Sequence, residues 1–253
     1  MLKRQVVSWL LVVHIVVGHI VIDIEEFFNQ CYVFETIDKS DAWLQQRKTG
    51  IGGSEASIIL NINPYKSPYQ LFMEKKGNTV EHITNEAIEK GNRLEQPLID
   101  VFYGLHPEYT PIDTKHISLK SKEYAFMNAN LDSAFLDENS DKAILEIKTT
   151  TIQNKKMLEE WGYWDNNQGI WIEKIPDNYY CQVVHYMATT GIKHAVVYAL
   201  LDFAYKSGQE TRETHIYWDD VVEDMNLIIQ EEKKFWKRLE DNDPPPFMQM
   251  NFK

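Results

Sequence analysis

Apolar positions along the chain switch between a helical and a strand period, and the switches mark out its elements. Ser40 and Asp41 are capping residues ahead of a short helical stretch reaching Arg47, which Gly50 closes. The turn "GIGG" at 50–53 opens a second helix from about Ser54. Ser67-Pro68 pairs an N-cap with a proline at the first helical position, and Gly77 ends that helix. "NEAIEKGNRLEQPLIDVFYGL", residues 85–105, carries the spacing of a longer amphipathic helix, with Pro97 as its weak point. Three β-rich runs follow, at about 110–119, 125–136 and 143–149. A loop holding Trp161, Trp164 and Trp171 leads to a helix over 177–190 that Gly191 ends. Strands at 194–201 and 213–218 and a charged helix at 219–240 come last. The order helix, three strands, helix, strand predicts an α+β chain within the broad α/β class, with one mixed central β-sheet flanked by helices.

The N-terminus departs from this pattern. "VVSWLLVVHIVVGHIVI", residues 6–22, has no formally charged side chain, and Lys3 and Arg4 precede it. A membrane span needs about 20 such residues, so the run sits at the lower edge. No small-residue cleavage site follows the basic start, as a secretory signal would require. Dominance of Val and Ile suits a strand buried on both faces, with membrane association the alternative. Residues 1–39 are therefore set apart as an N-terminal extension, and 40–253 as one domain ending in the charged helix.

Composition narrows the function. With 253 residues, 43% hydrophobic and 25% charged, the chain can bury a substantial core. A net charge of -12 excludes a general polyanion binder, so any nucleic-acid contact needs a local basic patch. Cys31 and Cys181 fit neither a zinc spacing nor a disulfide framework, which points to a reducing, cytoplasmic setting. The eight histidines form no HxH or HExxH pattern and read as structural.

One stretch raises a chemical question. In "LDSAFLDENSDKAILEIKTT", residues 131–150, Glu146 is set into an apolar strand and Lys148 follows two residues later. Residues two apart on a strand share a face, so both charges point the same way. Asp132, on the preceding strand, lies beside them if the two strands pair as a hairpin. Carboxylates converging at a sheet end make a hard oxygen site suited to Mg²⁺ or Mn²⁺, and Lys148 can orient water or neutralise developing charge. The plainer reading is a surface hairpin with a salt bridge. Asp137, Glu138 and Asp141 in the loop leave the choice of acid open on spacing alone.

Wider context sharpens that pattern. Asp132 with Glu146-Ile147-Lys148, between a preceding helix and a following helix and strand, resembles the PD-(D/E)xK nuclease superfamily. "DAWLQQRKTGIGGSEASIIL", "NPYKSPYQLFMEKKG", "GNRLEQPLID" and "YYCQVVHYMATTG" resemble the YqaJ-type viral recombinases, relatives of phage lambda exonuclease, over about residues 40–201. The resemblance implies a restriction-endonuclease-like core and a Mg²⁺- or Mn²⁺-dependent exonuclease. Such an enzyme degrades one strand of duplex DNA from a 5′-phosphorylated end, 5′ to 3′, in phage-type recombination. It implies Glu95, Asp132 and Glu146 as metal acids, the Ile147 carbonyl as a further ligand, Lys148 as catalytic lysine and Gln182 facing the site. Arg47 and Ser54 match residues that grip the 5′-phosphate. Arg47 could instead pair with Glu55. A homo-oligomer, a trimeric ring, and a single-strand annealing protein as partner are implied as well. The alternatives are an endonuclease or junction resolvase, and a non-catalytic DNA-binding module of the same fold. The three loop tryptophans read as packing residues, one of which could stack on a base.

Overall fold

The computed structural model describes residues 14–17, 20–35, 49–77 and 86–247, and the expected helix over 40–47, with Arg47, lies outside them. Strands β1 (His14–Val17) and β2 (Ile20–Asp23) form an antiparallel hairpin, so the described part of the N-terminal apolar run is β-structure. No helix among the described residues is long and apolar enough to cross a membrane. A single helical turn, α1 (Ile24–Phe27), follows behind the N-cap Asp23, whose carboxylate accepts from the N–H of Glu25 and Glu26. Next come β3 (Cys31–Glu35), β4 (Ile51–Gly52), α2 (Gly53–Ile59), α3 (Pro68–Lys75) and α4 (Glu86–Leu105). Helix α3 starts as expected, with the Ser67 hydroxyl accepting from the Gln70 N–H. Helix α4 runs through Pro97. Pro97 and Arg93, whose carbonyl loses its partner, are both exposed, so water can satisfy that oxygen.

Two expected strands each divide in two. The first becomes β5 (Thr110–Ile112) and β6 (Ile117–Ser121), separated where Asp113 accepts from the Lys115 N–H. The second becomes β7 (Met127–Ala129) and β8 (Ser133–Leu136). After β9 (Lys142–Ile152) come α5 (Lys155–Glu159) and a hairpin of β10 (Tyr163–Asp165) and β11 (Ile170–Ile172), where a plain loop was expected. Helix α6 (Asp177–Thr190) ends at left-handed Gly191 as predicted. Strands β12 (His194–Phe203) and β13 (Gln209–Tyr217) and helix α7 (Trp218–Asp241) complete the order.

Apart from the β1–β2 and β10–β11 hairpins, the described strands sort into a five-stranded mixed sheet, β13-β12-β9-β8-β5, and a four-stranded one, β3-β6-β7-β4. The mixed central sheet is as expected; the second sheet takes the other halves of the divided runs. In the larger sheet only β9 and β12 are parallel, with Glu146 opposite Val197 and Lys148 opposite Ala199. Both faces of β9 are covered, which explains its near-continuous apolar run. Ala143, Leu145 and Ile147 face Leu98, Ile99 and Phe102 of α4. Ile144 and Ile152 belong to the main core with Val183, Val184 and Met187 of α6. Ile22, Ile24, Phe27, Phe28 and Cys31 sit in that core too, and β3 pairs with β6. The segment set apart in sequence as an extension therefore supplies core side chains and a sheet strand.

A buried ion pair fastens α6 to α7. His185 Nδ1 lies 2.7 Å from Glu232 Oε1, and its Nε2 lies 2.9 Å from the Asn128 carbonyl. The Asn128 carbonyl can only accept, so Nε2 carries a proton; burial raises the Glu232 carboxyl, so the pair holds a proton between His185 Nδ1 and that carboxyl. Burial opposes charge on the ring, but the Glu232 carboxylate outweighs it and holds His185 above its ordinary range. Glu232→Gln should therefore destabilise the fold by about 1.5–3 kcal/mol, because it replaces a charge-assisted hydrogen bond between buried groups by a neutral one as His185 sheds its proton. Urea unfolding of the two proteins checks this; equal midpoints and slopes would count against it.

Candidate active site

The pairing of β8 with β9 stops at Ser133 opposite Leu145. Asp132, one residue before β8, instead accepts from the Ile147 N–H through Oδ2 at 2.8 Å. The N–H and C=O of one strand residue point to the same flank, so the Ile147 carbonyl also emerges on the Asp132 side. The hairpin geometry expected from sequence is thus realised at the frayed end of a strand pair.

Glu146 and Lys148 share the α6-facing side of β9. Glu146 is 1% exposed. Its Oε1 accepts from Lys148 Nζ at 2.5 Å and from Gln182 Nε2 at 2.6 Å. Lys148 Nζ also donates to Gln182 Oε1 at 3.1 Å and lies 4.8 Å from the Tyr179 ring centre. Gln182 donates in turn to the Tyr186 hydroxyl at 3.1 Å. Sequence reasoning missed Tyr179 and Tyr186, although their spacing of three before and four after Gln182 puts all three on one helix face.

Burial, then the charge of Asp132, pushes the Glu146 carboxyl up to about 8 against the pull of Lys148. Asp132 is also raised, by burial, although Lys148 and the Ile147 N–H oppose this. For Lys148, burial works against the ammonium, but Glu146 and Asp132 outweigh it, so the lysine is held charged. Two acids and one cation leave excess negative charge in a low-dielectric place. Among the described residues, Glu146 Oε2 is buried with no hydrogen-bond partner. A buried, unpartnered carboxylate oxygen beside a second acid is the donor set a hard divalent cation would satisfy. No group of three His, Cys, Asp or Glu side chains converges on one point among the described residues. Glu95 lies on the exposed side of α4, close enough for its charge to raise Glu146 but not gathered with the other two acids. A cleft of about 830 Å³ between α4 and the β5–β6 turn opens onto Asp132, with Gln96, Asp100, Lys115 and His116 in its walls.

Ser54 is exposed in the first turn of α2. That helix starts against α6: a Cβ on Gly53 would come within 2.5 Å of the Tyr186 ring and 3.0 Å of the Gln182 carbonyl. Gly50 likewise abuts the Asn128 side chain. Glu55 accepts from the Gly52 N–H at 2.9 Å and pairs with Lys75 at 2.7 Å, while Lys75 donates to the Gly50 carbonyl at 2.6 Å. The glycine turn thus fixes Ser54 one residue from the segment of α6 that carries Gln182. The structure brings Asp132, Glu146, Lys148 and Gln182 together, and Ser54 lies exposed in the first turn of the helix that starts against α6.

Residues 42–193 match the YqaJ-like viral recombinase domain. The uncharacterized protein YqaJ of Bacillus subtilis (strain 168) is 33% identical over 200 residues, covering 78% of this chain and 55% of that protein. The chain thus spans about half the length of that relative. Among solved structures, the alkaline exonuclease LHK-Exo from Laribacter hongkongensis superimposes with a TM-score of 0.57 at 18% identity, over 81% of this chain and 94% of that one. LHK-Exo in complex with dAMP gives the same TM-score at 19% identity. At that identity the likeness shows the fold.

Proposed function

The chain belongs to the YqaJ-like viral recombinase family, and from that membership we propose that it is a divalent-metal-dependent deoxyribonuclease. It degrades one strand of linear duplex DNA, 5′ to 3′, from a 5′-phosphorylated end, in phage-type recombination. The observation that carries this reading is the buried, unpartnered Oε2 of Glu146 beside Asp132, on the strand that also presents Lys148.

In this reading Asp132, Glu146 and the Ile147 carbonyl would hold Mg²⁺ or Mn²⁺, and Glu95, whose charge reaches Glu146 from α4, would join them only by moving inward. When bound, the ion lowers the pKa of a water and stabilises charge on a phosphoryl oxygen. Lys148 presents a fixed ammonium to the reacting phosphate, held by Glu146, Gln182 and the Tyr179 ring. Gln182 keeps that ammonium and the Glu146 carboxylate in register. Arg47 and Ser54 grip the terminal phosphate, through a guanidinium fork and a hydroxyl beside backbone N–H groups. The partners in this reading are DNA ends, other copies of the chain in a ring, and a single-strand annealing protein.

Digestion of linear duplex bearing 5′-phosphate or 5′-hydroxyl ends, with Mg²⁺ or with EDTA, tests the reading. Phosphate-dependent shortening that EDTA abolishes is expected; activity in EDTA, or cutting of closed circles, would refute it.

Binding of the ion has a readout besides turnover. The folded Glu146 carboxyl is raised to about 8 from 4.5. Its folded form therefore holds a proton more tightly than its unfolded form, and without metal this group's contribution to stability falls as pH rises between those values. Mg²⁺ must displace that proton. The rise in melting temperature on adding Mg²⁺ should be small at pH 6 and larger at pH 9. Equal rises at both pH values, or none, would remove Glu146 as a ligand.

A further inference from the structure

The β10–β11 hairpin projects four large apolar side chains that the described residues leave exposed. Each strand is three residues long, and an unsupported ribbon of that size is marginal in water. Tyr163, Trp164, Ile170 and Trp171 all remain exposed, Trp164 at 55% and Trp171 at 46%. Trp164 and Trp171 are direct cross-strand partners, so both indoles share one face of the ribbon.

The ribbon is nevertheless held in place. The Arg212 guanidinium lies 4.9 Å from the centre of the Trp171 ring. It donates to the carbonyls of Trp161 and Gly162 at 2.6 and 2.9 Å and to Glu210 at 2.8 Å. Gly162, at φ +105°, permits the approach: a Cβ there would stand 2.8 Å from the Trp171 indole. The base of the ribbon reaches the candidate active site through one residue. The ring of buried Trp161 lies 5.6 Å from that of Tyr179, which carries the Lys148 ammonium on its face.

We infer that the Trp164/Trp171 face is a stacking platform for unpaired nucleobases of the DNA strand entering or leaving that site, an inference that rests on the nuclease reading above. A duplex shows a protein only its base edges in the grooves, whereas a single strand offers base faces that indole rings can meet. Arg212 adds a fixed cation behind one of the rings. The ribbon itself carries no lysine or arginine and has Asp165 on β10, which suits a phosphate-backbone track poorly, so recognition falls to the bases. The fit is to single-stranded DNA, held by stacking and tolerant of sequence.

The test uses the full chain in EDTA with two end-labelled strands of equal length, an oligothymidylate and its abasic counterpart. Replacing Trp164 and Trp171 together by Ala should weaken oligothymidylate binding by about 5- to 150-fold per base lost from the platform. The abasic strand should bind as before, and the double Phe replacement should retain most of the affinity. Equal weakening of both strands, or of neither, overturns the platform and leaves the nuclease reading standing if wild type still digests duplex. A wild type that neither digests duplex nor binds oligothymidylate overturns both. If sedimentation velocity shows that the Ala variant changes assembly size while DNA binding is unaltered, the face is a contact between copies and the inference falls.

Discussion

Glu146→Gln is expected to lower the rate of DNA cleavage at least about a hundredfold, corresponding to roughly 3 kcal/mol of lost transition-state stabilisation. Gln is nearly isosteric and keeps an oxygen for Lys148 and Gln182, so packing around β9 should survive. It lacks the charge that makes Oε2 a ligand for a hard cation. It also removes a carboxyl that burial and Asp132 hold well above its ordinary range, so the variant should be at least as stable as wild type without metal. Three measurements make the case together: cleavage of 5′-phosphorylated duplex, the thermal midpoint in EDTA, and the midpoint with Mg²⁺. Activity should fall, the EDTA midpoint should hold or rise, and the Mg²⁺ increment should shrink. Wild-type cleavage by the variant would dismiss Glu146 from the chemistry, and a collapsed EDTA midpoint would assign it a structural role instead.

Lys148→Met should slow turnover by about 10²- to 10³-fold while leaving KM for duplex ends within a small factor. Those are the magnitudes associated with losing one preorganised group aimed at developing charge. The methionine stem can still pack on Tyr179, so the loss is of charge rather than of volume. Without the ammonium, Asp132 and Glu146 repel each other unopposed, and any acid limb of the pH–rate profile should move to higher pH. Lys148→Arg should not restore the rate, since a planar fork does not reproduce a point charge seated between a carboxylate, an amide oxygen and a ring face. Single-turnover rates from pH 6 to 9 measure both effects. A rate within twofold of wild type would exclude the lysine from the reaction.

Much of this centre is written locally in the chain. Alternation on a strand places Glu146 and Lys148 on one side, and a helix ending at Gly191 carries Gln182 toward them. The first relation depends on period alone, the direction of Gln182 was implied by the resemblance, and the structure shows both. Asp132 is less legible: its place next to Ile147 depends on β8 starting one residue later, and five acids lie within the same stretch. The divided strands were not legible, because residues 110–119 and 125–136 each read as continuous β-pattern. Membership of two different sheets is decided by tertiary pairing, which leaves little trace at single positions. The β10–β11 ribbon escaped for a related reason: its tryptophans suggest burial, and only Gly162 and the distant Arg212 reveal that they are held outward. Arg47 rests on resemblance.

The order of the larger sheet also bears on how the copies in the proposed ring would meet. It ends on one side in β5, three residues long with Pro111 at its centre, and on the other in β13, which carries Glu210, Arg212 and Glu213. Proline withholds a donor, and a charged border resists an added neighbour, so both margins are poor templates for backbone-to-backbone growth. The small sheet closes on one side with β4, only two residues long. In the proposed ring, neither margin of the larger sheet nor β4 of the small one favours a β-ladder continued from one copy into the next, which leaves β3 as the remaining outer strand of these two sheets among the described residues.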